Sequence, residues 1–304
     1  MAPSGETGQT LVILNPTANR GAAQQLRPIV HAWVRRFDAE YVETTRSGDA
    51  QMLARHAASL KRPIVVVGGD GTIHEVVNGI LETREKPPLG VVAGGSGNDF
   101  AWNTLNLPRD VKVALELAFT GTPTPVDAGT VNGRFFANSF CLGIGADVVA
   151  AADSIKHYPL MHFQTRTYVA LAWQLLLGYQ RCPWLTISTD EVADGTAMPR
   201  RIVSLAISNG PLAGAGMILN PKADHRDGIF DICIINYMRL WRTLRLLPAI
   251  RGGGHSGHDG VSFSRSRAVY IESRRPINFQ IDGEVAQGTT FDVRNLPDAL
   301  LVRC

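Results

Sequence analysis

Two glycine-rich turns carry the residue types that hold phosphate groups. The first is Gly68–Thr72, with the sequence GGDGT, and the second is Gly94–Asp99, with the sequence GGSGND. Because glycine has no Cβ, its backbone can approach a phosphate closely. A helix that follows such a turn points unpaired N–H groups at the anion. Each turn follows an apolar run typical of a strand, so the pair predicts a nucleotide-phosphate site without a P-loop sequence.

Polar residues in and near the first turn allow more than one role. Asp70 offers a carboxylate that can orient Mg²⁺ or a hydroxyl group. Thr72 and Glu75 have the spacing of a capping box, in which side chains satisfy the first N–H groups of a helix. A ligand role for Glu75 is equally compatible with the sequence. A third turn, Asn15–Asn19, also follows an apolar run, but by itself it predicts only a loop.

Two acidic groups lie far from these turns. Asp224, Asp227 and Asp231 occur together in ADHRDGIFD, where carboxylate and carbonyl oxygens could hold a hard cation. A solvated turn explains them equally well. Asp282 and Glu284 flank a glycine at the end of the run INFQID. They predict either a general base for a substrate hydroxyl or a simple hairpin turn.

Two further motifs are better explained by structure than by chemistry. His255, His258 and Asp259 have a spacing found in metal sites, but the surrounding glycines disfavour a preorganised site. The segment 239–251 interleaves arginines and Trp241 with leucines. It predicts an amphipathic helix that rests on an anionic membrane or packs on its own domain, and packing is favoured.

The first part of the chain must position the glycine turns. Strands are predicted at 10–14, 41–45, 63–67 and 89–93, and helices at 22–36, 49–60, 73–81 and from the second glycine turn through Asn103. Strands that alternate with helices predict βαβ units and a parallel sheet with helices on both faces.

Beyond about residue 125 strand patterns predominate. They are predicted at 126–131, 134–142, 185–189, 202–208, 230–235, 268–272, 277–282, 290–294 and 299–303, with one helix at about 162–179. This pattern predicts a β-rich second domain. The glycine-rich run Gly252–Gly260 is predicted to be a mobile loop.

Composition narrows the class of protein. The 304 residues are 45% hydrophobic and 19% charged, which indicates a globular protein with sizeable cores. A net charge of +3 gives no argument for a nucleic-acid partner. Four scattered cysteines and a polar N-terminus without a signal sequence predict a cytoplasmic protein. The apolar segment Tyr168–Gly178 is too short to span a bilayer, so we expect any membrane contact to be peripheral, at the inner face; a homodimer is left open.

The motifs in this order resemble the diacylglycerol kinase catalytic-domain family, in its bacterial lipid-kinase branch. That branch is related to sphingosine kinases and more distantly to NAD kinases. The resemblance runs through ILNPTAN, VVVGGDGTIHEVVNGI, LGVVAGGSGNDFA, VDAG, PKADHRDGIFDI and IDGE. GGDGT alone is shared with NAD kinases, whereas EVVNG after it and NDFA after the second turn are more specific.

The resemblance implies an α/β fold in which a doubly wound, nucleotide-binding parallel-sheet domain precedes a β-sandwich-like domain. The nucleotide domain is expected at 1–126, joined by about 290–304, and the lipid-substrate domain at 127–289. The family's active site lies in the cleft between its two domains. Lipid presented at a membrane surface is the expected partner.

The resemblance also implies site residues. The expected ATP contacts are Asn15, Pro16, Thr17, Ala18, Asn19, Thr44, Gly69, Asp70, Gly71, Thr72, Ile73, His74, Glu75 and Ser96. The expected proton acceptor is Glu284, with Asp282 close behind, and Asp70 completes the catalytic set. A structural Mg²⁺ maps onto the Asp227 side chain and the carbonyls of Asp224 and Ile229. Two positions depart from the family pattern, because His74 replaces its usual asparagine and Ser96 its usual threonine.

These observations predict transfer of the ATP γ-phosphoryl group to a lipid hydroxyl, as in diacylglycerol or a sphingoid base, with Mg²⁺ neutralising charge. Two alternatives remain at this stage. One is an NAD kinase-like enzyme with a soluble acceptor. The other is a catalytically silent regulator that binds nucleotide or lipid.

Overall fold

The computed structural model describes residues 8–154, 163–190, 198–213 and 216–304. These residues form two compact units. Within the described ranges, unit 1 comprises 8–128, 134–137 and 296–304, and unit 2 comprises 129–133 and 138–295. The polar N-terminal residues 1–7 and His162, where a helix was predicted to begin, lie outside the described residues.

Unit 1 contains a parallel sheet. Its strands are β1 (Leu11–Leu14), β2 (Glu40–Glu43), β3 (Ile64–Gly68) and β4 (Pro88–Ala93). They lie in the order β4-β3-β1-β2. Near the end of the chain, Leu301 and Val302 pair in parallel with β4, so the last strand returns to this sheet as predicted.

Four helices cover both faces of this sheet. They are α1 (Arg27–Arg36), α2 (Asp49–Ser59), α3 (Asp70–Leu81) and α4 (Val111–Thr120). Since successive strand residues point to opposite faces, Ile13 packs with α2 and α3, whereas Val12 packs with α1 and α4. The predicted doubly wound α/β arrangement is confirmed. Helix α4 was not predicted, although Asp110 caps it by accepting from the N–H groups of Lys112 and Val113.

The strand order places a topological switch point between β1 and β3. From β1 the chain first adds β2 on one side and then β3 on the other. Ligands of open α/β sheets bind at such points, beyond the carboxyl ends of the strands. Asn15 follows β1 and the GGDGT turn follows β3, so the two lie side by side, with the Asn15 N–H donating to Val67 O over 3.0 Å.

Strands predominate in the rest of the chain. They are β5 (Pro123–Val131), β6 (Arg134–Phe136), β7 (Ser139–Gly143), β8 (Trp184–Thr189), β9 (Arg200–Ser208), β10 (Phe230–Asn236), β11 (Val261–Ser266), β12 (Ala268–Ile281) and β13 (Glu284–Arg303). In unit 2 the order is β11-β10-β9-β7-β12-β13, with β8 pairing with β12 and β9. Each neighbouring pair of strands in this order is antiparallel, in keeping with the predicted β-sandwich-like domain.

Three helices pack on one core cluster of unit 2. They are α5 (Ile144–Ser154), α6 (Phe163–Trp173) and α7 (Leu240–Arg251). The α6 helix continues through a π-helical turn to Gly178 and a 3₁₀ turn to Arg181, which matches the predicted helix. Helix α5 was missed because its apolar residues follow β7 without a polar break. Only Gly143, with φ of 81°, marks the boundary.

Several predicted strand boundaries were wrong. The predicted strand 134–142 is two strands, β6 and β7, whereas 268–282 is the single strand β12 followed by a turn. Its pairing register with β13 shifts between Glu272 and Ile277, and Pro276 lies in that irregular stretch, where its missing N–H breaks no regular ladder. In the run Gly252–Gly260, the fully buried His255 has its Nε2 3.0 Å from Leu219 O, which ties the middle of this segment to the core.

Candidate active site

The two glycine turns of unit 1 touch each other through their backbones. A Cβ added at Gly95 would lie 2.4 Å from the Cα of Gly69, and one added at Gly69 would lie 3.0 Å from the Cα of Gly95. The N–H of Gly94 donates to the carbonyl of Gly68 over 2.8 Å. Side chains at these positions would force the turns apart, so glycine is required for the turns themselves to meet.

Asp70 fastens the second turn to the first. Its Oδ2 accepts from the backbone N–H of Asn98 over 2.6 Å, and its Oδ1 accepts from that of Phe100 over 3.4 Å. The side chain of buried Asn98 in turn bonds both the N–H and the carbonyl of Gly95, each over 2.8 Å. Both Asp70 oxygens therefore accept from backbone groups, and the structure gives this carboxylate a positioning role that the sequence did not indicate.

The third turn, Asn15–Asn19, joins the same constellation. Asn15 Nδ2 donates to the hydroxyl of Thr72 over 2.8 Å, and its Oδ1 accepts from the N–H and hydroxyl of Thr17. Ser96 of the second glycine turn donates to Asn19 Oδ1 over 2.8 Å. Pro16 and Ala18 lie within this turn. The structure thus brings together the predicted contact residues of all three turns, with Ser96 and Asn19 exposed beside them.

The predicted capping box of Thr72 and Glu75 is wrong. Helix α3 begins at Asp70, three residues earlier than a Thr72 cap requires, and its N-cap residue is Gly69, which has no side chain to cap it. The Glu75 carboxylate accepts instead from the hydroxyl of Ser47 over 3.1 Å and from the N–H groups of Gly48 and Ala50 over 2.9 and 3.2 Å. Glu75 therefore caps the neighbouring helix α2. Thr44, another predicted contact residue, directly follows β2 in the loop that leads to α2.

The side chains of Ile73 and His74 are buried rather than directed to solvent, with 1% and 5% of their surfaces exposed. His74 Nε2 lies 3.2 Å from Nδ2 of Asn78. Asn78 also bonds the backbone of Phe135, donating to its carbonyl over 3.1 Å and accepting from its N–H over 3.2 Å. His74, which replaces the usual asparagine of the family, thus takes part in an internal hydrogen-bond network. Because the side chains of Ile73 and His74 are buried, only their backbone atoms can face a nucleotide.

Asp99 is a residue whose importance the sequence analysis missed. Burial, together with the nearby Asp70 charge, raises its pKa to about 6. The Nδ2 of Asn103 lies 3.5 Å from its carboxylate. The signal in the sequence was an acidic residue directly before the apolar run FAW. A shifted carboxyl pKa at the end of the second glycine turn marks Asp99 as a candidate site residue.

The predicted proton acceptors lie at a tight hairpin of unit 2. Asp282 and Gly283 join β12 to β13, with φ values of 48° and 95°, as in a type I′ turn. Asp282 Oδ1 accepts from the N–H groups of Asn138 and Ser139 over 3.0 and 2.9 Å. Asp282 therefore stabilises the turn, while Glu284 is exposed beside it.

The acidic loop 224–231 is organised around an arginine. Arg265 forms an ion pair with Asp227, and its Nε lies 3.6 Å from Asp231 Oδ2. The other Asp227 oxygen accepts from the N–H of Ile229 over 3.2 Å, and Asp224 accepts from Arg226. Among the described residues there is no group of three His, Cys, Asp or Glu side chains placed to hold a metal. The positive charge of Arg265 already neutralises carboxylates of this loop. The residues predicted to hold Mg²⁺ are therefore not arranged to fit a metal ion.

A polar cavity of about 300 Å³ in unit 2 was not predicted. Asp147, Arg181, Arg275 and Asn278 line it. Asp147 accepts from Asn278 over 2.7 Å. Burial raises the pKa of Asp147, against the opposing effects of Asn278 and the Arg275 charge. The signal for this cavity was dispersed over three distant segments, which is why sequence spacing did not reveal it.

The fold and the braced glycine turns define a phosphate-binding α/β protein with a β-rich second unit. The family described as diacylglycerol kinase catalytic domain matches residues 9–131, and the family described as YegS C-terminal NAD kinase beta sandwich-like domain matches residues 138–304. The chain belongs to the diacylglycerol kinase family with this C-terminal domain.

Relatives of known name agree with this assignment. The diacylglycerol kinase of Bacillus subtilis (strain 168) is 29% identical over 281 residues, covering 90% of this chain and 88% of the relative. That of Staphylococcus carnosus (strain TM300) is 28% identical over 279 residues, covering 90% and 87%. The fold alone is also shared with the crystal structure of a diacylglycerol kinase from Bacillus anthracis str. Sterne, with a TM-score of 0.70 at 21% identity, over 97% of this chain and 96% of that one.

The predicted family, fold class and enzyme class, an ATP-dependent lipid kinase, are confirmed by these matches. Membership in this family favours a lipid kinase over the NAD kinase-like and silent-regulator alternatives. Among the described residues, none of the helices combines the length and the hydropathy that a membrane-spanning segment needs.

Proposed function

We propose that this chain transfers the γ-phosphoryl group of ATP to the free hydroxyl of diacylglycerol, with ATP entering as its Mg²⁺ complex. The names of the relatives supply the acceptor, and the glycine turns of unit 1 supply the phosphate site. The Mg²⁺ that accompanies ATP neutralises charge on the phosphate oxygens. Every other contribution comes from residues of the chain.

The observation that carries the proposal is the space beside Gly71. Among the described residues, no atom outside its chain neighbours and the adjacent backbone of α3 lies within 4 Å of a Cβ built there, whereas Gly69 and Gly95 are each confined by the other turn. Gly71 lies in the first turn of α3, where backbone N–H groups lack helical partners and attract anions. Phosphate oxygens placed there would reach the N-terminus of α3, with Ser96 and Asn19 at the rim.

The rigidity of the turns supports the same role. Asp70, Asn98 and Asn15 hold the three turns by hydrogen bonds of 2.6 to 2.8 Å. Phosphoryl transfer depends mainly on positioning and on electrostatic stabilisation, so a braced cradle lowers the barrier by holding donor groups in place before ATP binds.

Glu284 is proposed as the acceptor of the hydroxyl proton. It is exposed next to a turn that Asp282 fixes through two backbone N–H groups. A carboxylate that takes the proton as the oxygen attacks phosphorus is a general base. In this proposal Asp282 positions Glu284 and does not itself take the proton.

A substrate screen tests the proposal. The purified chain is given ATP and Mg²⁺ with mixed micelles that contain diacylglycerol, sphingosine, ceramide or phosphatidylglycerol, and separately with NAD in the absence of detergent. We expect mass spectrometry to detect phosphatidic acid when diacylglycerol is the acceptor, and the Glu284→Gln variant to lose this activity. Faster phosphorylation of a sphingoid base or of NAD would overturn the proposed acceptor.

A further inference from the structure

An apolar helix face is left open to solvent on unit 2. The segment formed by α6 and its π-helical extension buries Ala170 and Leu175 in the core. Its opposite side exposes Val169, Trp173, Leu176 and Leu177, with 45%, 61%, 75% and 56% of their surfaces accessible. A surface helix normally carries polar groups on its outer side. This one is apolar on both sides, which calls for something to cover it.

Helix α7 adds to the same side of the unit. It also packs into the core that α6 covers, through Leu246 and Ile250. Tyr179, just beyond α6, links the two helices, since its hydroxyl lies 2.6 Å from that of Thr243. Helices that cover one core from one side turn their outer faces in the same direction. The outer face of α7 exposes Trp241 and Leu244, at 45% and 46%.

The charge around these apolar residues has one sign. The segments 163–184 and 238–254 contain six arginines and no Asp, Glu or Lys. Elsewhere in the chain acidic residues outnumber basic ones, although the whole chain has a net charge of +3. Arg242 and Arg245 lie over the ring of Trp241, at 5.4 and 4.7 Å from its centroid. Arginine beside tryptophan and leucine is the composition of surfaces that lie in the membrane interface.

We propose that these outer faces of α6 and α7, together called the docking face, bind the headgroup layer of an anionic lipid bilayer. Trp173, Leu176 and Leu177 enter the boundary between headgroups and acyl chains, and the arginines contact lipid phosphates. Arg181, which is exposed at the end of the α6 segment, also lines the polar cavity with Arg275, so one headgroup phosphate has a recessed place beside the apolar residues.

Charge favours a lipid surface over a second copy of the chain as the occupant. A symmetric dimer would place the same patch against itself. The arginines of the docking face would then oppose their own counterparts, and the two segments offer no carboxylate to neutralise them. Anionic headgroups neutralise them directly.

Vesicle binding without ATP tests this inference separately from the proposed function. The chain is sedimented with vesicles of phosphatidylcholine alone or with about 30 mol% phosphatidylglycerol, at low salt and at about 0.5 M NaCl. We expect the chain to bind the anionic vesicles at least about tenfold more tightly than the neutral ones, and most of that difference to disappear at high salt. The double variant Trp173→Ser, Leu176→Ser should bind anionic vesicles at least about tenfold more weakly.

Matched variants on unit 1 serve as controls. Met52→Ser with Leu60→Ser removes two apolar side chains that are 49% and 51% exposed, and should leave vesicle binding unchanged. Arg242→Gln with Arg245→Gln should weaken binding, whereas Arg35→Gln with Arg84→Gln, which removes the same charge, should not.

Three outcomes would overturn the inference: equal binding to neutral and anionic vesicles, unchanged binding by the Trp173 and Leu176 variant, or light scattering that shows a dimer which this variant dissociates. Turnover of a short-chain, water-soluble diacylglycerol should be the same in all these variants. If the unmodified chain does not phosphorylate this diacylglycerol, the proposed function is wrong, but the inference about the docking face still stands.

Discussion

The carboxylate of Asp70 accepts a hydrogen bond of 2.6 Å from the backbone N–H of Asn98, 28 residues further along the chain. This bond joins the turn that opens α3 to the turn that follows β4. Because the acceptor is charged and the donor belongs to the backbone, it is stronger than an ordinary hydrogen bond. The arrangement of the two glycine turns therefore depends on a side chain that the family resemblance assigns to catalysis.

Replacing Asp70 with asparagine is expected to loosen this connection. The amide keeps the size of the carboxylate but offers only one acceptor atom to the N–H groups of Asn98 and Phe100. We expect the free energy of unfolding in urea to fall by about 1–3 kcal/mol and the KM for ATP to rise. The exposed Asp259→Asn variant is the control. An Asp70→Asn protein with unchanged stability and a reduced kcat alone would show that Asp70 acts on the reaction directly.

Two glycines in this region are expected to respond oppositely to alanine. At Gly95 the new Cβ would lie 2.4 Å from the Cα of Gly69, so the turns must separate and the melting temperature should fall. At Gly71 the new Cβ meets no described protein atom and the residue is helical, so stability should hold or rise slightly. If phosphate occupies that space, Gly71→Ala should still raise the KM for ATP at least about tenfold. A Gly71→Ala enzyme with normal ATP affinity would contradict the proposed phosphate position.

The sequence predicted the parallel sheet and the glycine turns well, because both depend on local patterns. The uninterrupted β-branched run Ile64–Val67 is typical of a buried strand, and it ends in glycines. Prediction from the sequence failed where a side chain bonds to a segment that is distant along the chain. Glu75 has the spacing of a cap for its own helix, yet it caps α2, where it accepts from the Gly48 N–H over 2.9 Å. Arg265 lies 38 residues from Asp227 in the sequence, so the segment ADHRDGIFD did not predict the ion pair between them.

Replacing the hairpin residues Asp282 and Glu284 one at a time is expected to lower kcat to different extents. Glu284→Gln removes the proposed base without touching the turn, so kcat should fall about 10²- to 10⁴-fold with the KM for ATP nearly unchanged. Asp282→Asn keeps an oxygen for the N–H groups of Asn138 and Ser139, and asparagine tolerates the positive φ, so a smaller loss is expected. Steady-state rates on diacylglycerol micelles compare the two. A larger loss for Asp282→Asn would transfer the proton-acceptor role to Asp282.

Asp99 should make the stability of the protein depend on pH. Burial raises its pKa from 3.8 to about 6, so the folded protein binds this proton more tightly than the unfolded chain. Stability contributed by the protonated form is therefore present below about pH 4 and is lost as the pH rises to about 6, by up to about 3 kcal/mol. Asp99→Asn should remove this loss and raise the free energy of unfolding more at pH 8 than at pH 4. Urea titrations at both pH values, with Asp259→Asn as control, would refute the effect if the gain did not depend on pH.

Arg265 and Mg²⁺ are expected to compete for the acidic loop 224–231. In the unaltered protein Arg265 already pairs with Asp227 and lies near Asp231, whose Oδ2 is buried without a hydrogen-bond partner among the described residues. Adding Mg²⁺ or EDTA should therefore leave the melting temperature unchanged. Arg265→Gln leaves the carboxylates unneutralised, so its melting temperature should be lower and should recover partly with Mg²⁺ but not with the same ionic strength of NaCl. If EDTA lowers the melting temperature of the unaltered protein, the loop holds a resident metal and the ion pair with Arg265 gives way to it.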